Sequence, residues 1–167
     1  MNATKPMIEL DSVLEFVTLH PPIIDSKGIP IMPQIYVASR ASIPELPAMW
    51  RALRDNGWNI SSSWIDEAAE GETDCMTELW QRIEQEISIS VGVLLYVRPE
   101  DFPLKGALIE CGIALGMQKP VALVLPGIVL EHPSRRPLGS WSAHPKVKQF
   151  ETLDMARDWL LEHRPVA

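Results

Sequence analysis

From Gln34 onward, short apolar runs alternate with amphipathic stretches. Gln34-Ile35-Tyr36-Val37-Ala38 is short, apolar and partly β-branched, so it predicts a buried strand. Pro44 suits the first turn of a helix that runs to Asn56-Gly57, a stop signal. Trp58-Asn59-Ile60-Ser61-Ser62 predicts a second strand, ending at Trp64-Ile65-Asp66-Glu67. A polar loop, Ala68 to Asp74, leads to a helix capped by Thr73 or Asp74. Its apolar positions Met76, Leu79, Trp80, Ile83 and Ile87 form a stripe at spacings of three and four. Val91 to Val97 is the clearest strand, followed by a loop to Lys105. Gly106 to Met117 predicts a helix that is apolar nearly all round, hence buried on several sides. Val121 to Leu125 is a further buried strand, and Pro126 to His144 has no clear regular element. Lys146 to Phe150 predicts a last short strand, and Thr152 opens an amphipathic helix ending near His163.

This order implies an α/β fold: a doubly wound parallel sheet with helices on both faces. Residues 1–33 read as an N-terminal extension, with Val13-Leu14-Glu15-Phe16-Val17, His20-Pro21-Pro22 and Gly28-Ile29-Pro30. Its prolines exclude a long helix and predict a short strand or turn and an extended arm. Residues 34–167 read as one domain.

The 167 residues are 46% apolar and 22% charged, which excludes disorder of the whole chain. The net charge of −7 argues against duplex nucleic acid and anionic membranes as partners. No apolar run reaches the roughly 20 residues of a membrane span. The opening Met-Asn-Ala-Thr-Lys-Pro lacks a secretory signal, and Cys75 and Cys111 read as reduced thiols. A cytoplasmic setting is the expectation. His20, His132, His144 and His163 have no metal-ligand spacing, so no metal is expected. No cofactor is expected either.

In such sheets ligands sit beyond the carboxyl ends of the strands. Ser39, Arg40 and Ser42 follow the first strand; Trp64, Asp66 and Glu67 follow the second. Arg98, Glu100, Asp101, Lys105, Gly106 and Glu110 follow the third, and Pro126 and Gly127 the fourth. This rim has no histidine, cysteine or serine triad, which disfavours triad acyl transfer and metal hydrolysis. Glu110 is the only acid between Gly106 and Met117. It reads equally as a nucleophile and as a carboxylate that pairs with Lys105 or caps the helix. Taken alone, Tyr36 is a core aromatic and Trp64 a packed one, although Trp64 also suits stacking on a planar base. Arg40 and Ser42 suit a phosphate, without the glycines of a nucleotide fingerprint. Glu84 and Glu86 read as a solvated helix face.

Ile35-Tyr36-Val37-Ala38, Trp64-Ile65-Asp66, Leu94-Leu95-Tyr96 and the run Lys105 to Val121 together resemble the nucleoside 2-deoxyribosyltransferase superfamily, which includes nucleotide N-glycoside hydrolases. The most specific piece is Gly106-x-x-x-Glu110-x-Gly112-x-Ala114, followed by Lys119-Pro120-Val121. The resemblance covers residues 34–125, and Gly139-Ser140-Trp141 is similar to the family's C-terminal segment. It implies a flavodoxin-like fold and a homo-oligomer built from dimers. It implies Glu110 as nucleophile at the anomeric carbon of a (deoxy)nucleoside or its 5′-monophosphate, with Tyr36 orienting it. Gly106, Trp64 and Asp66 would lie beside the substrate, and Ser140 and Trp141 would reach a neighbouring subunit's site. Two departures stand out. Ile83 occupies the place where many relatives carry an aspartate, and Leu104-Lys105 the place where transferases tend to carry an acid. The second favours hydrolysis over base exchange. The first supports an alternative, a non-catalytic nucleotide-binding module of the same fold. A third reading is an interaction protein with a vestigial pocket.

Overall fold

The computed structural model describes residues 23–24, 30–67 and 75–163. The chain divides into two compact units, Met1–Met32 and Pro33–Ala167. Within the first, β1 (Ile23–Ile24) pairs antiparallel with β2 (Pro30–Ile31). The other expected features of the N-terminal extension lie outside the described residues.

The second unit runs β3 (Tyr36–Ala38), α1 (Glu45–Asp55), α2 (Trp64–Glu67), α3 (Met76–Ile89), β4 (Val93–Tyr96), α4 (Gly106–Gly116), β5 (Val121–Val124), β6 (Val147–Phe150) and α5 (Leu153–Glu162). Strands β3-β4-β5-β6 form a parallel sheet in that spatial order. Tyr36 pairs with Val93, Val93 with Val121, and Val121 with Val147. This is the expected α/β, flavodoxin-like arrangement. Right-handed crossovers assign α1 and α5 to one face and α3 and α4 to the other. In agreement, α3 packs on α4, α4 reaches β3, β4 and β5, and α5 reaches β4, β5 and β6.

The predicted second strand is corrected. Trp58 to Ser62 contributes only one bridge, Ile35 to Ile60, and Trp64–Glu67 is a short helix. Backbone pairing stops after two bonds, Ile35 N–H to the Asn59 carbonyl and Ser61 N–H to the Ile35 carbonyl, both 2.9 Å. Side chains then take over. The Ser62 hydroxyl accepts from Val37 N–H at 2.7 Å and donates to the Val37 carbonyl at 3.1 Å. The Trp64 indole donates to the same carbonyl at 2.9 Å. A buried backbone group needs a partner, and here side chains supply it.

Other expectations shift at the ends of elements. The N-cap of α3 is Cys75, with no side-chain cap bond; Thr73 and Asp74 lie outside the described residues. The segment after β5 contains a 3-10 turn at Ser140–Ala143. α4 is not buried all round: Ala107, Glu110, Cys111 and Ala114 are buried, while Ile109 and Met117, just past its end, are exposed. α1 closes at Gly57, whose φ of 97° suits glycine. Gly92 lets β4 approach β5, since a Cβ there would lie 2.6 Å from the Pro120 oxygen and 2.7 Å from Leu160. Trp50 is fully buried; its indole donates to Ser39 Oγ at 2.9 Å and its ring meets Tyr96 edge-on.

Candidate active site

At the carboxyl ends of β3 and β4 lies a cavity of about 450 Å³. Three segments supply most of its walls. The turn after β3 brings Ser39, Arg40 and Ser42; α2 brings Trp64 and Glu67; the loop before α4 brings Pro103, Leu104 and Lys105. α3 contributes Met76, Leu79, Trp80 and Ile83, and α4 contributes Gly106, Ala107 and Glu110.

Glu110 sits one turn into α4 and is only 8% exposed. Neither of its simple alternatives is present. Among the described residues it makes no ion pair with Lys105, and α4 has no side-chain cap. Among the described residues its Oε2 is buried without a hydrogen-bond partner, and so is the Tyr36 hydroxyl. Each group nevertheless shifts the titration of the other, as near neighbours do. Burial raises the Glu110 pKa to about 8, the Tyr36 phenol pulls it down, and the Glu86 carboxylate pushes it up. Burial likewise raises Tyr36, with Glu110 and then Glu86 adding to the effect. An unpaired carboxyl held in a cavity is rare outside functional sites.

Around this pair the cavity is largely apolar. Gly106 matters by having no side chain: a Cβ there would stand 3.9 Å from Glu110 Oε1 and 4.0 Å from the Trp80 ring. A larger residue would fill the space between them. The preceding Lys105 has φ 42°, a left-handed angle that costs a non-glycine residue strain.

The structure brings Tyr36, Arg40, Ser42, Trp64, Gly106 and Glu110 to one region, with Tyr36 facing Glu110 from β3. It separates others. Asp66 is outside the cavity and binds Arg54 with two bonds of 2.6 and 2.8 Å, which lowers its pKa. Its neighbour Glu67 lines the cavity instead, paired with Arg82 at 2.6 Å. Residues one apart on a helix point about 100° apart, so the short helix exchanges their roles. Arg98 is taken up by Asp101 at 2.9 Å. Ser140 is exposed and Trp141 half-buried, its indole donating to the Leu138 carbonyl at 2.8 Å; neither lines this chain's cavity.

Two features escaped the sequence reading. The stripe of α3 reads as core, but only its later part, Ile83 and Ile87, is buried. Met76, Leu79 and Trp80 face the cavity. Glu86 reads as a solvated position, yet it is half-buried and accepts from Ser63 N–H at 3.2 Å. No spacing signal marks either, because each depends on which loop lies opposite.

Among the described residues, no group of side chains could hold a metal ion. No described helix is long and apolar enough to cross a membrane. Two solved structures share the fold. A 2-deoxyribosyltransferase from Bacillus psychrosaccharolyticus aligns with a TM-score of 0.54 at 18% identity, covering 80% of this chain and 99% of its own. A 2-deoxyribosyltransferase from Leishmania mexicana aligns with a TM-score of 0.54 at 15% identity, covering 79% and 99%. Neither a family model nor a curated protein matches the chain.

Proposed function

We propose that this chain, which has the fold of the 2-deoxyribosyltransferases, is an enzyme of that superfamily acting on the N-glycosidic bond of a (deoxy)nucleoside or its 5′-monophosphate. One observation carries the reading: Glu110, on the wall of a nucleoside-sized cavity, is buried beside the Tyr36 phenol with its Oε2 lacking a hydrogen-bond partner among the described residues. As a carboxylate, Glu110 attacks C1′; the C1′–O bond forms as the C1′–N bond breaks, and the base leaves with the electron pair and takes up a proton. Water then cleaves the ester. Its hydroxyl goes to C1′, its proton is released, and Glu110 is restored; a second base in place of water gives exchange. Tyr36 positions the carboxylate, and Trp64 and Trp80 supply flat faces for the base. The chain works as a homo-oligomer in the cytoplasm, with Ser140 and Trp141 reaching a neighbour's cavity.

Ile83 favours a second reading. It is 4% exposed and lines the cavity, at a position where the family resemblance implies a carboxylate. A nucleotide-binding module without turnover would tolerate this. One experiment separates the two. The protein is incubated with nucleosides and 5′-monophosphates, with and without a spare base, and products are read by mass spectrometry. Base release that falls at least about 1,000-fold in Glu110→Ala supports the enzyme. Binding with no product in the native protein supports the module and overturns the enzyme.

A further inference from the structure

The four residues of α2 are held by three neighbouring elements. The Trp64 indole donates to the Val37 carbonyl of β3 at 2.9 Å. Arg51 and Arg54 of α1 hold the Ile65 carbonyl and the Asp66 carboxylate. Arg82 of α3 holds the Glu67 carboxylate. Trp64 and Glu67, three residues apart on one face, line the cavity, and Ile65 and Asp66 do not. A flat ring and a carboxylate are therefore presented to the cavity together, each fixed before any ligand arrives.

The Glu67–Arg82 pair is set in an unusual way. A guanidinium meets a carboxylate best through two parallel bonds from two of its nitrogens. Here both Glu67 oxygens sit on Nη2, Oε1 at 2.6 Å and Oε2 at 2.8 Å. Arg82 Nε is buried without a hydrogen-bond partner among the described residues. That arrangement forgoes a bond, at a cost in stability, and leaves the carboxylate on the cavity wall. A carboxylate offers about four acceptor sites, so Arg82 leaves some of them for a ligand. The side chains that α3 brings to the cavity, Met76, Leu79, Trp80 and Ile83, offer no strong acceptor. Glu67 and Glu110 are the acids among the lining residues, and Glu110 is engaged with C1′ in the reading above.

We propose that Glu67, beside Trp64, selects the base by its hydrogen-bond donors, so that the cavity takes guanine in preference to the other bases. The inference rests on the nucleoside reading above and narrows its base. A carboxylate accepts hydrogen bonds and cannot donate them. Guanine alone among the common bases carries two adjacent donors on one edge, the N1 proton and the N2 amino group. Hypoxanthine keeps the N1 proton and lacks the amino group. Adenine and cytosine place a ring-nitrogen acceptor beside their amino group, and thymine flanks its N3 proton with two carbonyls. Each of these turns an acceptor toward the carboxylate. A site built to bond a donor rejects a ring without one, because its own polar group is then left unpaired. Stacking on Trp64 suits every base and adds no discrimination.

Calorimetry on the full chain carrying Glu110→Ala, which stops turnover, measures this preference. The ligands are the 2′-deoxynucleosides of guanine, hypoxanthine, adenine and thymine, with their 5′-monophosphates as a second series. In each series the guanine ligand should bind about 10- to 100-fold more tightly than its adenine and thymine counterparts, with hypoxanthine between them. Adding Glu67→Gln keeps the size of the side chain and an acceptor for Arg82, but puts an amide in the cavity. It should bring the four ligands within about threefold of one another. Thermal melting checks that this variant is folded, and the ligand series on the chain that retains Glu67 decides the matter if it is not. Equal binding of the four, or an unchanged order in folded Glu67→Gln, overturns the proposal, and so does failure of all four to bind. Base release by the native protein is scored separately on the same nucleosides. Release without a base preference overturns the role of Glu67 and leaves the nucleoside-cleaving reading standing. A guanine preference in binding, without release, does the reverse.

Discussion

At Glu110, burial and a nearby phenol act in opposite directions, and burial dominates. The free protein therefore holds this carboxyl mostly protonated at neutral pH. A nucleophile must be ionised, so kcat/KM for base release should rise with pH through about 8 and then level off. Glu86 adds a like charge from α3, with Tyr36 on β3 as the other titratable neighbour that shifts Glu110. Removing it in Glu86→Gln should move the inflexion to lower pH, as read from a pH–rate profile; an unmoved profile would place Glu86 outside the electrostatics of the site. Glu110 is legible in the sequence because an acid stands out in an apolar helix. Glu86 is not, because its nearness to Glu110 depends on how α3 lies beside α4 and the 61–63 loop.

Within the elements, the outer side of β3 is the informative place. Trp58 to Ser62 has the composition of a strand, and the chain passes where a fifth strand would lie. The Ser62 hydroxyl and Trp64 indole substitute for the missing ladder at Val37. Ser62→Ala would leave the buried Val37 N–H without a partner and should cost about 1–3 kcal/mol, measured by denaturant titration. A loss below about 0.5 kcal/mol would show that the loop relaxes to satisfy Val37 by other means. The helices were easier to read. Apolar periodicity and the stop at Asn56-Gly57 place α1 to within a residue or two, since these signals are local. The short helix Trp64–Glu67 is not legible in the sequence because four residues carry no period, and its helical geometry turns Glu67 rather than Asp66 to the cavity.

Across the whole molecule, the raised pKa of Glu110 links stability to pH. Unfolded, the carboxyl titrates near 4.5; folded, it titrates at about 8. Between those values the folded state binds more protons, so stability falls as pH rises through that window. The depressed pKa of Asp66 acts below the window, where its contribution is lost as pH falls. In thermal melts from about pH 5 to pH 9, Glu110→Gln should flatten the decline and raise Tm relative to the native chain at the alkaline end. Identical slopes in both proteins would refute a buried, proton-binding Glu110. The amino-acid sequence alone determined the alternation of strands and helices, the parallel sheet and the rim on which chemistry could gather. These follow from short-range periodicity and from the handedness of crossovers, which any sequence of this pattern obeys. Only the tertiary structure decided which rim residues meet. It paired Asp66 with Arg54, Glu67 with Arg82 and Asp101 with Arg98, and left Glu110, Arg40 and Lys105 without ion-pair partners among the described residues. Charge pairing is settled by distances of a few ångströms between segments far apart in the chain, and no local pattern encodes those distances.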